Sequence, residues 1–267
     1  MTSLAGLTAI VAGAGPGIGR ACAELLRAEG ADVVVAARNE ARLDALALEI
    51  GGTGEASQTG PTPRVVPMPF DLADLASCQT LIAQTLERLG RIDILVNVAT
   101  AGGEYNAMDE GEWESWRQAF EVNVIGTLEL SRLAARAMRD GPGEGGSIIQ
   151  IGTIGTRAFP PGRARYAATK SAMVTASLTM AKELGPAGVR VNVVTPGFTT
   201  GAPLNAMVQS IATRTGESSA DVSARMASGA SLRRHVDPAD VAEAVVFLAG
   251  PGARNITGIE LPVTAGR

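Results

Sequence analysis

A chain of 267 residues, 46% hydrophobic and 19% charged, has enough apolar material for a full core and falls in the size range where α/β folds form one domain. Its net charge of −4, without any run of like charges, excludes the basic footprint that a nucleic acid or an anionic membrane surface requires. No apolar run reaches the roughly 18 residues of a membrane span, and Cys22 and Cys78 lack the spacing of a metal site or a disulfide framework, so no metal is expected. The apolar start of the chain is interrupted by Gly13, Gly15, Gly17 and Gly19 and reads as strand plus loop rather than a secretion signal, which points to a cytoplasmic protein.

Seven short β-branched runs, LTAIVAG, ADVVVAAR, RVVPMPFD, IDILVNVA, SIIQIG, VRVNVVTPG and ITGIELPV, alternate with helical patterns, as repeated βαβ units do. The runs are apolar throughout, which suits strands covered on both faces. The expectation is a doubly wound α/β fold, a seven-stranded parallel sheet between two helix layers, with residues 1–267 forming a single domain. The helical patterns are GIGRACAELLRAEG, NEARLDALALEI, LASCQTLIAQTLERLG, a long stretch from Glu112 to Met138, Tyr166 to Leu184, and DPADVAEAVVFLAG. Asp237 as N-cap and Pro238 at the first helical position start the last of them. Residues 51–64 and 141–146 read as surface loops. Residues 198–232 show no strong period and are read as a mobile excursion before the last helix and strand.

The loop VAGAGPGIGR follows the first strand and opens the first helix, the context that makes a glycine cluster a phosphate-site candidate. Backbone N–H groups at a helix N-terminus can meet a pyrophosphate only where no Cβ intervenes, and the helix dipole then favours the anion. Gly13, Gly17 and Gly19 supply that spacing, although strict GxGxxG fails because Ile18 stands three residues after Gly15. The second strand ends with Ala36 and Ala37 where an acid would bind a ribose 2′-hydroxyl, followed by Arg38, which either meets a 2′-phosphate or is an ordinary surface charge. NADP(H) is favoured over NAD(H) on this ground.

The chain holds two tyrosines and two lysines, Lys170 and Lys182, against 21 arginines, yet Tyr166 and Lys170 stand four apart and share a helix face. A phenol titrates near about 10, so proton exchange near neutrality is off by about 3 units, or about 4 kcal/mol. A neighbouring ammonium narrows that gap by favouring phenolate. Lysine suits this better than arginine because its charge is compact and its three donors can also reach a ribose hydroxyl.

With the glycine loop, the Tyr–Lys pair and the seven strands together, the whole chain resembles the short-chain dehydrogenase/reductase family in its single-domain, Rossmann-fold branch. VAGAGPGIG, from Gly13 and Gly15 through Gly17, Ile18 and Gly19, is similar to the family's TGxxxGIG cofactor loop, with Ala12 where threonine is usual. The resemblance implies that Asp71 of FDLADL contacts the adenine, followed by Leu72. It implies that Asn97 and Ala99 of LVNVATAGG line the adenosine side, with Val98 and Thr100 departing from the usual NNAG. Pro196, Gly197 and Thr199 of TPGFTT would close on the nicotinamide amide. Tyr166 and Lys170 would also hold the cofactor.

The family's tetrad of Asn, Ser, Tyr and Lys maps onto Asn123 of FEVNVIG, Tyr166 and Lys170, while the serine position, 13 residues before the tyrosine, holds Thr153. Threonine keeps the hydroxyl, and its methyl restricts χ1 and crowds the site. The implied activity is NAD(P)-dependent hydride transfer between a ketone or aldehyde and an alcohol. Tyr166 would exchange the proton, Lys170 would tune the phenol and hold the ribose, Thr153 would share the substrate oxygen, and Asn123 would anchor a water. The alternative is a cofactor-binding sensor or scaffold without turnover. The partner is a small carbonyl or alcohol substrate, residues 198–232 are the implied lid, and a homo-oligomer, tetramer or dimer, is implied through helices near 113–138 and 166–184.

Overall fold

All seven runs form strands: β1 Thr8–Ala12, β2 Asp32–Ala37, β3 Val65–Pro69, β4 Ile94–Asn97, β5 Gly146–Ile151, β6 Val189–Pro196 and β7 Glu260–Val263. The structure, a computed structural model, describes residues 4–52, 63–102, 107–108, 110, 112–143 and 145–267. Most of the 51–64 loop and residue 144 of the 141–146 loop therefore lie outside the described residues.

The strands pair in parallel in the order β3-β2-β1-β4-β5-β6-β7. Their unbroken apolar character has a direct cause in the packing. Ala9 and Val11 of β1, Val33 and Val35 of β2, and Ile94 and Val96 of β4 enter the core on one side, with helices α1 (Ile18–Ala28), α2 (Glu40–Gly52) and α10 (Pro238–Ala249). Ile10, Ala12, Val34, Ala36 and Leu95 point the other way, into the core with α3 (Leu75–Leu89), α5 (Thr127–Asp140) and α7 (Ala164–Leu184). A strand whose odd and even residues both face a helix layer has no polar face to show. Cys22 and Cys78 sit inside these two layers, and burial pushes their thiols up to about 12 and about 11, so they behave as core residues.

Local signals set several helix ends. Asp237 caps α10 by accepting from Ala239 N at 2.9 Å, and Asp240 accepts from Asp237 N at 3.1 Å, closing a capping box with Pro238 in the first turn. Asp74 caps α3 at 2.9 Å, and Gly90 ends it at φ 77°.

Two expectations are corrected. The stretch Glu112–Met138 is not one regular helix: α4 (Trp113–Phe120) passes through a π-helical turn, Glu121–Gly126, before α5 begins. The 198–232 segment is not irregular either: α8 (Ala202–Thr215) and α9 (Ser219–Ser228) pack Leu204, Val208 and Ala212 against Val222 and Met226. No helix among the described residues is long and apolar enough to cross a membrane.

Candidate active site

The register places the carboxyl ends of the central strands on one row. Ala12 is level with Ala36 on β2 and with Asn97 on β4, and Asn97 is level with Gln150 on β5. Strand order reverses between β1 and its neighbours β2 and β4, and open parallel sheets bind ligands in the crevice outside such a switch point. The glycine loop enters this crevice. Gly13 N and Ala14 N donate to Ala36 O at 2.7 and 3.1 Å, while Val98 N and Ala99 N both donate to Ala12 O at 2.8 Å.

Gly13, at φ 102°, lies so close to Ala99 that a Cβ would overlap its backbone, and a Cβ on Gly19 would overlap the carbonyl of Gly13. Above Gly15 and Gly17, by contrast, a Cβ would meet nothing within 4 Å. The N-cap of α1, Gly17, gives no side-chain cap, and the first turn holds no acid. A closely packed glycine floor, open space over it and uncapped N–H groups at a helix N-terminus are what a cofactor diphosphate requires, so these residues fit that group.

The polar groups are carried by α7 and the ends of β4 and β5. Lys170 is 4% exposed, and its Nζ donates to Ile151 O, the last carbonyl of β5, at 2.8 Å. Burial brings its ammonium down to about 8. Among the described residues this bond uses one of three N–H donors. Tyr166, half-buried, lies one turn earlier on α7. Thr153 follows β5 by two residues, accepts from Gly155 N at 3.2 Å, and its own hydroxyl proton has no acceptor among the described residues.

Asn123 sits in the π turn with every side-chain position used. Its Oδ1 accepts from Thr100 Oγ1 at 3.0 Å and Ala101 N at 2.7 Å. Its Nδ2 donates to Ala101 O at 3.1 Å and Thr169 Oγ1 at 3.0 Å. Thr169 in turn donates to Tyr166 O at 3.0 Å. Asn123 thus clamps the loop after β4 to the turn of α7 that carries Tyr166 and Lys170. Its side chain has no donor or acceptor left over for the expected water.

The remaining residues divide. Arg38 is exposed at the end of β2 and makes no ion pair among the described residues. Asp71 is exposed and folded onto its own turn, accepting from Ala73 N at 3.0 Å, while Leu72 is buried beside Gly126, where a Cβ would overlap its carbonyl. Asn97 is not brought to the crevice by its side chain. It is 3% exposed and donates to Ser131 Oγ of α5 at 3.0 Å, while its buried Oδ1 has no partner among the described residues. Pro196 and Gly197 end β6, with Gly197 N donating to Val263 O at 2.9 Å, and Thr199 bridges Val236. Ile154 N donates to Pro196 O at 3.1 Å, joining this segment to the one that carries Thr153.

Sequence reasoning noted Thr100 only as a departure from NNAG and passed over Thr169 and the π turn. Thr169 had a signal: a β-branched polar residue three positions after Tyr166 lies on the same helix face. It passed over Arg163 as well, whose guanidinium carbon lies 4.2 Å from the centroid of the Tyr166 ring.

A family model described as enoyl-(acyl carrier protein) reductase matches residues 13–267. The short-chain reductase protein NovJ of Streptomyces niveus is 35% identical over 262 residues, covering 97% of this chain and 93% of its own. The chain belongs to the short-chain dehydrogenase/reductase family. The 3-oxoacyl-(acyl-carrier-protein) reductase FabG of Escherichia coli is 32% identical, with 98% of this chain and 97% of that one covered. Carveol dehydrogenase from Mycobacterium avium in complex with NAD superposes with a TM-score of 0.90 at 26% identity, covering 100% of this chain and 99% of that one. Members of this family are oxidoreductases acting on CH–OH and C=O groups, and this chain is one.

The buried ammonium has a stability consequence with a definite sign. A lysine in an unfolded chain titrates near about 10.4. Between about pH 8 and that value the unfolded chain binds more protons than the folded one, so stability from this residue rises with pH across the window and is absent below it. Relative to Lys170→Met, the native protein is expected to gain about 3 kcal/mol of unfolding free energy from about pH 7 to about pH 10.5. Urea unfolding at several pH values measures it, and a pH-independent difference contradicts it.

Proposed function

We propose that this enzyme interconverts a ketone or aldehyde and an alcohol with NADP(H), using Tyr166 as proton donor and acceptor. The observation that carries the proposal is the buried ammonium of Lys170, fixed to Ile151 O one helix turn from the Tyr166 phenol. The nicotinamide would supply or accept the hydride. Gly13, Gly15, Gly17, Ile18 and Gly19 would hold the diphosphate, Asp71 and Leu72 the adenine end, Ala99 and the backbone of Asn97 the adenosine side, and Pro196, Gly197 and Thr199 the amide.

In carbonyl reduction Tyr166 Oη would give its proton to the substrate oxygen, and Lys170 would favour the phenolate left behind. The unspent proton of Thr153 would donate to the same oxygen, so the threonine serves where the family has serine. Asn123 would act as the clamp that sets α7 against β4. The turnover reading is favoured over a sensor or scaffold by the buried ammonium of Lys170 on the helix face of Tyr166 and by the hydroxyl that Thr153 keeps.

Selection of NADP(H) is supported by Arg38, and by Arg42 one turn into α2. Both are exposed and outside any ion pair among the described residues, and Ala36 and Ala37 stand where an acid would repel a 2′-phosphate. The α8–α9 pair would form the substrate lid within the one domain, and its partly buried Phe198, Met207 and Ile211 favour an apolar or moderately polar substrate. Self-association through the helices near 113–138 and 166–184 is supported by the exposed Trp113, Phe120 and Ile125 in the first of these stretches.

Tyr166→Phe is expected to lower turnover on a panel of ketones and alcohols by about 10²-fold or more while cofactor affinity, read by fluorescence, stays within about threefold. Turnover retained in that variant contradicts the assignment. Arg38→Ala is expected to raise KM for NADPH about tenfold, the effect of about 1.4 kcal/mol from one charge-assisted contact, with KM for NADH nearly unchanged. Equal changes for the two cofactors contradict the role given to Arg38.

A further inference from the structure

We infer that Arg163 is a positioning residue for Tyr166: its guanidinium, stacked on the ring, fixes the phenol and favours its ionised form. This rests on the reading of Tyr166 as the acid/base group. Arg163 is the N-cap residue of α7 and gives no side-chain cap to the helix. Its side chain goes elsewhere. The guanidinium carbon stands 4.2 Å from the ring centroid, and Nη1 donates to Gly102 O, beyond the end of β4, at 3.2 Å.

The backbone beneath is held on both sides. Arg163 N donates to Pro160 O at 3.2 Å, and Arg163 O accepts from Ala167 N at 2.9 Å. The chain reaches it through a turn with Phe159 at φ 47° and Gly162 at φ 76°. The cation is therefore fixed by its main chain, by Gly102 and by the ring itself.

The consequence is electrostatic. Residues three before and four after a helical position share its face, so Tyr166 stands between Arg163 and Lys170. A cation at this distance from a phenol lowers the cost of its negative charge. The two cations are not equivalent. Lys170 loses its charge above about pH 8, whereas a guanidinium stays charged throughout the working range, so Arg163 keeps a positive charge beside the phenol when the lysine does not.

Among the described residues, several of the other charges on the elements packed against α7 are paired with one another. Arg157 of α6 (Gly155–Ala158) pairs with Glu260 at 2.8 Å. Glu114 pairs with Arg117 on α4, and Glu129 with Arg132 and Arg139 with Asp140 on α5. Arg136 is on α5, Glu121 is exposed in the π turn, and Arg190 is at the amino end of β6. On α7 itself, Arg165 adjoins the tyrosine, and Lys182 and Glu183 are at the far end.

The test uses the scarcity of phenols. Tyr105→Phe leaves Tyr166 as the only tyrosine, so phenolate ultraviolet absorbance in the protein without cofactor reports its titration directly. Adding Arg163→Met is expected to raise the Tyr166 pKa by about one unit. Arg163→Gln, neutral but able to donate to Gly102 O, is expected to raise it similarly, and Arg163→Lys to return it to within about half a unit of the starting value. The acidic limb of kcat/KM for alcohol oxidation should move by the same amount in Tyr105-containing enzyme, with cofactor affinity unchanged. An unmoved titration in either neutral variant that melts like the parent overturns the inference, as does a lysine variant shifted as far as the glutamine one. Turnover surviving Tyr166→Phe would remove the acid/base reading instead, and the absorbance titration separates the two failures.

Discussion

The hydrogen bond from Lys170 Nζ to Ile151 O ties the longest helix of the structure to the carboxyl end of the central sheet. An ammonium buried in a protein interior is costly unless something solvates it. Here one carbonyl does so within the described residues, and no carboxylate lies against it to neutralise it. The charge is therefore available to a neighbour, and the helix face dictates which neighbour: Tyr166, one turn away. A carboxylate partner would have made Lys170 more stable and less useful to the phenol.

Around that pair the sheet acts as a ruler. Parallel pairing brings Ala12, Ala36 and Asn97 level, so the glycine loop, the end of β2 and the loop after β4 open into one crevice. Two departures from the family pattern are built into this arrangement. Thr100, where NNAG would have glycine, donates to Asn123 and strengthens the clamp on α7. Thr153, where serine is usual, keeps a hydroxyl proton to give and meets Gly155 N with its oxygen.

The strands were legible because two-sided burial leaves an unbroken apolar run, and α10 was legible because Asp237, Pro238 and Asp240 write its start in local chemistry. The Tyr166–Lys170 pair was legible because helical spacing alone aligns it. The π turn was not, since EVNVIG, although short of strong helix formers, lies inside a longer helical stretch and nothing in its local composition distinguishes a π from an α ladder. It lets Asn123 reach Ala101 and Thr169 while Gly126 presses on Leu72. The α8–α9 pair was missed although Leu204, Val208 and Ala212 recur every four residues and Val222 and Met226 repeat the spacing. The stripe is narrow and includes alanine, so composition hid it. Arg163 was passed over because a cation above a ring depends on the path of the turn from Phe159 to Gly162.

The most direct measurement is the titration of Lys170 itself. The chain has two lysines, so isotope labelling of lysine gives two side-chain resonances, and Lys170→Met identifies the one that disappears. In the native protein that resonance is expected to titrate at about 8. A midpoint near about 10.4, the value of a solvated lysine, would mean that the ammonium is not held dry against the sheet and would contradict the arrangement on which the site depends.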